Sequence, residues 1–550
     1  MRRMLCNVAF FFVWINLVSS KRRVQDELIV IMMFKKITRR DYMEKAQSFW
    51  LEDQKEITFP TFEGEETFDV AIVGGGITGI MTAYYLVQLG FKVALFEASN
   101  LMYGTTGRTT GKITAQHDII YHTLIDEYGA DYAKQYFEAN NQAKETIEKL
   151  CKKHEIDCHF ELEDSYVFTQ KQDEVERLKK ELAAYQLLNI PHEWVTELPI
   201  DLPIEAGLIM NNQAQFNPVL FLQSMIQMID VKGGKIFEHS KVESMDKDKQ
   251  YRLLFENQSR VYAKHVVSTS NFPFIDRHGF FARLFPARSY LICVKVKDEF
   301  PGGMYINIEE PTYSIRSVQK DDQQYVFIGG AGHKTGNVHS EQDQIERLIS
   351  FAKQTFEVEE IIEHWSAQDL ETADDLPYIG RMKGEESFYV ATGYKKWGMT
   401  TSIVAAQLIS DIINGKQNPY EQLFSPERTF TFKKIKKLLQ ENMKIPGELV
   451  GGKLNTPEIE LKDLQHGEGR PVSIKGKRAG AYKSESGEFI IIDTTCTHMG
   501  CELNWNGVEK SWDCPCHGSR FSLTGKVLNG PAKKDLPKVH VDEMLFPLDE

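Results

Sequence analysis

FDVAIVGGGITGIMTAYYLVQLGFKVALFEAS, residues 68–99, decides the fold of the larger part of this chain. Asp69 to Val73 is a short β-rich run, Ile80 to Gln88 carries a helical pattern, and a second strand, Lys92 to Phe96, ends at Glu97. Gly74, Gly76 and Gly79 fill the turn between the first strand and the helix. Gly74 permits the tight turn, Gly76 lets the backbone approach a pyrophosphate, and Gly79 lets helix and strand pack closely. The helix N-terminus offers free backbone N–H groups to the diphosphate. Glu97, 23 residues after Gly74, is placed to accept from an adenosine ribose hydroxyl. Glycines alone would be weak evidence, but glycines in strand–turn–helix context with the distal acid read as a dinucleotide site. The acid also disfavours NADP, whose ribose phosphate would meet a carboxylate.

At 550 residues the chain exceeds what one core serves, so two to four domains are expected. A content of 42% hydrophobic and 26% charged residues is that of a soluble globular protein. The net charge of −13 argues against nucleic-acid binding. Cys6, Cys151, Cys158 and Cys293 are scattered, which suits a reducing cytosol. Cys151 and Cys158, with His154 and His159 nearby, have poor spacing for a metal site. Arg2 and Arg3 precede an apolar run from Leu5 to Val18, too short for a firm transmembrane span. An overextended gene start before Met32 or Met33, a signal or membrane anchor, and a genuine extension all remain open there. A cytoplasmic location is the expectation.

The second informative stretch is CTHMGC at 496–501 with CPCHGS at 514–519. Two thiolates and two imidazoles can hold a [2Fe–2S] unit asymmetrically, sulfur on one iron and nitrogen on the other. Zinc is the competing reading of a Cys/His set. The surplus cysteines and the glycine after each ligand pair favour iron–sulfur. The pattern resembles the Rieske ferredoxin family, in the branch whose two loops carry an extra disulfide. That resemblance implies Cys496 and Cys514 on one iron, His498 and His517 on the other, and Cys501 joined to Cys516. It also implies Ser519 as donor to a cluster sulfur. Where high-potential members carry a tyrosine donor, this chain has Phe521, so a lower potential is expected. NGPA at 529–532 resembles the loop that covers the cluster.

NLMYGTTGRTTGKITAQH at 100–117 and ATGYKKWGMTTSIVAAQLISDIINGK at 391–416 resemble the glycine and D-amino-acid oxidase (DAO) family. The resemblance implies FAD, contacted by Thr105, Thr106, Arg108, Thr109 and Thr110, with Val242 near adenine. It further implies that Gly393, Gly398, Met399 and Thr400 precede a helix beginning near Ser402 whose N-terminus faces the flavin ring, where it stabilises negative charge. Tyr290, Tyr305, Tyr313 and Arg316 are candidates to line a substrate-side wall, and His333 to approach the flavin.

The expected architecture is an α/β FAD-binding Rossmann-like domain with an inserted α+β substrate domain, followed by an all-β Rieske domain. Residues 1–66 form an N-terminal extension with a helical segment, and 67–416 the oxidoreductase region, with substrate-side insertions at about 155–205 and 280–362. Residues 417–456 form a linker and docking helix with a Gly451–Gly452 hinge, and 457–550 the cluster domain. The family implies FAD-dependent oxidation of an amino acid or amine at a CH–NH bond, with electrons leaving through the cluster to an external acceptor. A cluster-to-flavin reductase and a non-enzymatic redox sensor are the alternatives. No residue stands out as a catalytic base.

Overall fold

The computed structural model describes residues 48–53, 57–337, 341–429, 432–454, 459–474 and 477–539. The apolar N-terminal run and most of the expected helical segment before Glu65 lie outside them. The described part of that segment makes only one tight turn, Leu51–Asp53, rather than a helix. Its anchors are Phe49 and Trp50, whose rings meet Phe327 edge-on at 5.3 and 5.0 Å.

The strand Glu65–Val73 is the centre of an eight-stranded sheet, with Val93–Phe96 parallel on one side and Arg260–Ser268 parallel on the other. Residues 70–73 are all buried, the continuous apolar reading of a strand covered on both faces. The helices Ile77–Gln88 and Gly398–Ile413 pack together beside this sheet. Asn217 caps the helix Pro218–Val231, its side chain accepting from the Val219 and Leu220 amides. Proline at the first helical position costs no hydrogen bond there.

A nine-stranded sheet runs from Val358–Thr372 through Leu284–Val296 and Gln323–Lys334 to Ala206–Gln215 and Lys112–Ile113. It is antiparallel except where Met304–Asn307 runs parallel to Glu161–Thr169. The helix Glu341–Thr355 covers part of one face, burying Tyr290, Ile292 and Ile328.

The helix Phe432–Leu454 leads to the last domain, which holds a three-stranded and a four-stranded antiparallel sheet. This helix continues through Pro446 and Gly451–Gly452, so the expected hinge is absent. Ile445 and Leu449 pack on the core that surrounds Cys496 and Cys514, and this tertiary contact overrides weak local propensity. Among the described residues no helix is long and apolar enough to cross a membrane.

Candidate active site and metal centre

A cavity of about 790 Å³ lies between the two large sheets and extends to the last domain. That is ample for a cofactor-sized ligand. Gly74, Gly76, Glu97, Thr105, Thr106, Arg108, Thr109, Thr110, Val242, Gly398 and Met399 all line it. Gly74 adopts φ +118°, and a Cβ there would lie 2.6 Å from the Thr269 carbonyl carbon. Glu97 accepts from the Gly75 amide at 2.7 Å and the Ser99 amide at 2.9 Å, and these bonds hold its carboxylate at the cavity edge. The Thr106 hydroxyl accepts from the Ile77 amide at 3.0 Å and fixes the start of the helix. This glycine cradle with its helix start and distal acid fits a dinucleotide.

Gly79 packs on the Gly74 carbonyl, the close helix–strand approach expected of it. Two predicted contacts stand behind the wall rather than on it: Gly393 turns beside Thr372, and the Thr400 hydroxyl donates to the Thr114 carbonyl at 3.2 Å. Thr400 is buried beside His117 and does not reach the cavity. The expected aromatic wall is also displaced. Strand alternation turns Ser289 and Leu291 into the cavity and Tyr290 away from it, where its hydroxyl meets His333 Nε2 at 2.9 Å. Tyr305 is stacked on Tyr166, and Tyr313 on Phe351 at 4.0 Å. Arg316 donates to the Thr110 and Ser317 carbonyls beneath Trp50 and is not free to hold a substrate carboxylate.

Charged groups beyond the predicted ones also line the cavity, among them Lys112, Asp369 and Lys396. Sequence reasoning missed all three. Burial, aided by the charge of Arg316, lowers the Lys112 ammonium to about 7, and Lys112 donates to the Tyr305 carbonyl at 2.9 Å. Burial raises the Asp369 carboxyl to about 6, partly offset by the charge of Lys396. Lys112 lies two residues beyond Thr110, and Lys396 lies in the quoted GYKKWG turn, so both were within reach of a closer reading. Asp369 sits in an unremarkable strand sequence and carried no local signal.

The cluster segment folds as two loops. Cys496 and Cys514 are buried with their thiols within hydrogen-bonding reach of each other. The His498 and His517 rings stand perpendicular, 4.9 Å apart. Cys501 and Cys516 are joined by a disulfide. The sulfurs of Cys501, Cys514 and Cys516 lie within 4.8 Å of one another, but the disulfide consumes two of them as ligands. Buried His517 Nδ1 has no hydrogen-bond partner, as suits a metal ligand. The donors left are two thiols and two imidazoles, which fit a [2Fe–2S] centre of mixed ligation. The Ser519 hydroxyl accepts from the Ala532 amide at 3.0 Å and reaches Cys496. Phe521 is fully buried across from Trp512. By contrast, Cys151 and Cys158 form a buried pair 3.4 Å apart whose nearby histidines bond elsewhere, to Tyr84 and to the Gln319 carbonyl.

The two sites share one wall, the paired strands Leu284–Val296 and Val358–Thr372. Ala367 and Asp369 face the cavity. Ser366 and Gln368, of opposite parity, face the cluster domain. Gln368 Nε2 donates to the Gly518 carbonyl at 2.9 Å, one residue past His517. On the other side, the Gln368 carbonyl accepts from the Thr105 hydroxyl at 3.2 Å. Pro286 and Arg288 of the neighbouring strand also meet the cluster domain, at Gly518 and Glu509. Phe281 packs against both histidine rings, at 5.3 and 5.4 Å.

Residues 69–412 match the family described as "FAD dependent oxidoreductase" (DAO), and residues 456–540 match the Rieske [2Fe-2S] domain. The chain is 40% identical to the "Putative Rieske 2Fe-2S iron-sulfur protein YhfW" of Bacillus subtilis (strain 168), over 91% of this chain and 98% of that protein. It is 23% identical to the gamma-glutamylputrescine oxidoreductase of Escherichia coli (strain K12), over 66% of this chain and 87% of the relative. The crystal structure of glycine oxidase from Geobacillus kaustophilus superposes with a TM-score of 0.57 at 18% identity, covering 66% of this chain and all of that one. That last likeness is one of fold. The protein is thus an FAD-dependent oxidoreductase with a Rieske iron–sulfur centre.

Two substitutions separate the cofactors. A Cβ on Gly79 would lie 1.9 Å from the Gly74 carbonyl oxygen, so Gly79→Ala must push the glycine turn out of register. Such overpacking costs about 1–3 kcal/mol. The purified variant should lose most of its flavin absorbance and keep the visible and EPR signals of the cluster. Phe521→Tyr should raise the cluster midpoint potential, because a donor to a ligand thiolate stabilises the electron-rich reduced state. A bond of about 1 kcal/mol corresponds to roughly 40 mV for one electron. An unchanged or lower potential by spectroelectrochemistry would remove Phe521 as its determinant.

Proposed function

The chain belongs to the FAD-dependent oxidoreductase (DAO) family and carries a Rieske [2Fe-2S] domain, and from that premise we propose that it oxidises the CH–NH bond of an amino acid or amine and passes the electrons through the cluster to an external acceptor. The observation that carries the reading is the shared wall, with Asp369 on its cavity face and Gln368 bonded to the cluster loop on the other.

An amino acid enters water-exposed as a zwitterion. In this reading Lys396 attracts its carboxylate, and Asp369 draws its ammonium and takes one proton from it. The neutral amine is the form that can give up hydride from the adjacent carbon. FAD, when bound, supplies the capacity to accept that hydride and to release the two electrons singly. The imine product is hydrolysed by water after release. Lys112, with its ammonium lowered to about 7, sets the charge of the opposite side of the cavity. The names of the oxidoreductase and oxidase relatives support an amine or amino-acid substrate.

Anaerobic mixing of the holoenzyme with a panel of amino acids and amines tests the reading. One compound should bleach the flavin first, and the reduced-cluster EPR signal should follow. If no amine bleaches the flavin, while a one-electron donor reduces the cluster and then the flavin, electrons run the other way.

A further inference from the structure

The cavity is not closed by the oxidoreductase domain alone. Residues 528–534 of the cluster domain form part of its wall, beside Ser270, Phe272, Phe274 and Val242. Gly530 is pressed on the Phe272 ring, where a Cβ would stand 3.3 Å from Cδ1. Phe272 follows closely on Thr269 and Ser270, whose backbone abuts Gly74. The loop therefore sits over the nucleotide half of the cavity.

The same loop is held in place by the cluster's own ligand loops. The Thr497 hydroxyl, between Cys496 and His498, donates to the Lys534 carbonyl at 2.6 Å. The Ala532 amide donates to the Ser519 hydroxyl at 3.0 Å, and Ala532 is buried in the apolar cluster that contains Cys496 and Cys514. Arg520 Nη1 donates to Asn529 Oδ1 at 3.1 Å. One face of a seven-residue loop thus depends on the assembled cluster site while the other lines the flavin site.

The loop also brings Lys533 and Lys534 to a cavity whose nucleotide end carries the acids Glu97 and Glu243. Two cations there favour a dinucleotide diphosphate over the bare carboxylates of the wall. We propose that loop 528–534 is a cofactor-binding element contributed by the cluster domain of the same chain, and that FAD and the [2Fe–2S] cluster consequently bind cooperatively. Coupling of this kind is reciprocal: whatever the cluster adds to FAD affinity, FAD adds to retention of the cluster. The inference rests on the two cofactors and not on the substrate or on the direction of electron flow.

The test is FAD titration of flavin-stripped full-length protein, followed by flavin fluorescence quenching. Lys533→Ala/Lys534→Ala should weaken FAD binding about tenfold and more steeply with added salt, with the cluster EPR signal unchanged. Cys514→Ser, which removes the cluster, should weaken FAD binding at least as much. In the reciprocal measurement, flavin-stripped wild type should lose its cluster to a chelator faster than the holoprotein does. FAD affinity within twofold of wild type in the lysine variant, or equal cluster loss with and without FAD, overturns the proposal. Should Cys514→Ser fail to fold, the lysine variant and the chelator measurement still decide.

Discussion

Glu509→Ala should destabilise the contact between the two domains by about 3–5 kcal/mol, the usual cost of leaving a buried charge without its partner. Glu509 sits in the turn between the strands Asn504–Asn506 and Ser511–Asp513. Its carboxylate takes Arg520 of its own domain at 2.6 Å and, across the interface, Arg288 and the Ser366 hydroxyl. Arg288 is 1% exposed, so water cannot replace the lost carboxylate. Burial alone would push the Glu509 carboxyl up, but Arg288 and Arg520 outweigh it and hold the group well below the usual carboxylate range. The folded pKa is depressed, so this stabilisation is fully present above the unfolded carboxylate pKa of about 4.3 and lost as pH falls through the folded value. Denaturant titration at neutral pH, followed by protease cleavage of the released cluster domain, reads the loss. Glu509→Gln, which keeps hydrogen-bonding capacity without the charge, should fall between wild type and alanine. A change below about 1 kcal/mol in Glu509→Ala would mean that apolar packing at Phe281 and Pro286 holds the interface instead.

Asp369→Asn should lower kcat by about 10²–10⁴-fold, the usual range for removing a positioned base. Wild-type kcat/KM should rise with pH through about 6 as the Asp369 carboxyl ionises, and that limb should be absent in the variant. Stability moves the opposite way. The folded state holds this proton more tightly than the unfolded chain, so ionising Asp369 weakens the fold as pH rises toward and past about 6. Asparagine relieves that burden, and the variant should be at least as stable as wild type at pH 7. A large loss of activity with full stability and retained FAD would identify a catalytic role. A variant with wild-type kcat and the same acid limb would falsify it.

Much of the architecture was legible because its signals are local. Gly74, Gly76 and Gly79 follow from the backbone demands of one turn and one close approach, and the helix that follows supplies the N–H groups. Cys496, His498, Cys514 and His517 announce themselves by type and spacing, since few other arrangements need two Cys–His pairs beside a surplus cysteine pair. Asn217 and Pro218 carry their helix start in the same local way. The substrate-side wall was misread at Tyr290, Tyr305 and Tyr313 because residue type was used without strand parity. A shift of one position along a strand reverses the face a side chain meets. The Gly451–Gly452 hinge was misread because a helix docked through Ile445 and Leu449 tolerates glycines that an isolated helix would not.

By itself, the sequence determined the two cofactor sites and their order along the chain, because each is written in residues a few positions apart. Only the tertiary structure brought those sites to opposite faces of one wall. Strands Leu284–Val296 and Val358–Thr372 carry no motif, yet their alternation turns Asp369 to the cavity and Gln368 to the cluster loop. Contact across a domain interface depends on residues more than a hundred positions away, such as Gln368 with Gly518 and Arg288 with Glu509, which no local pattern can announce.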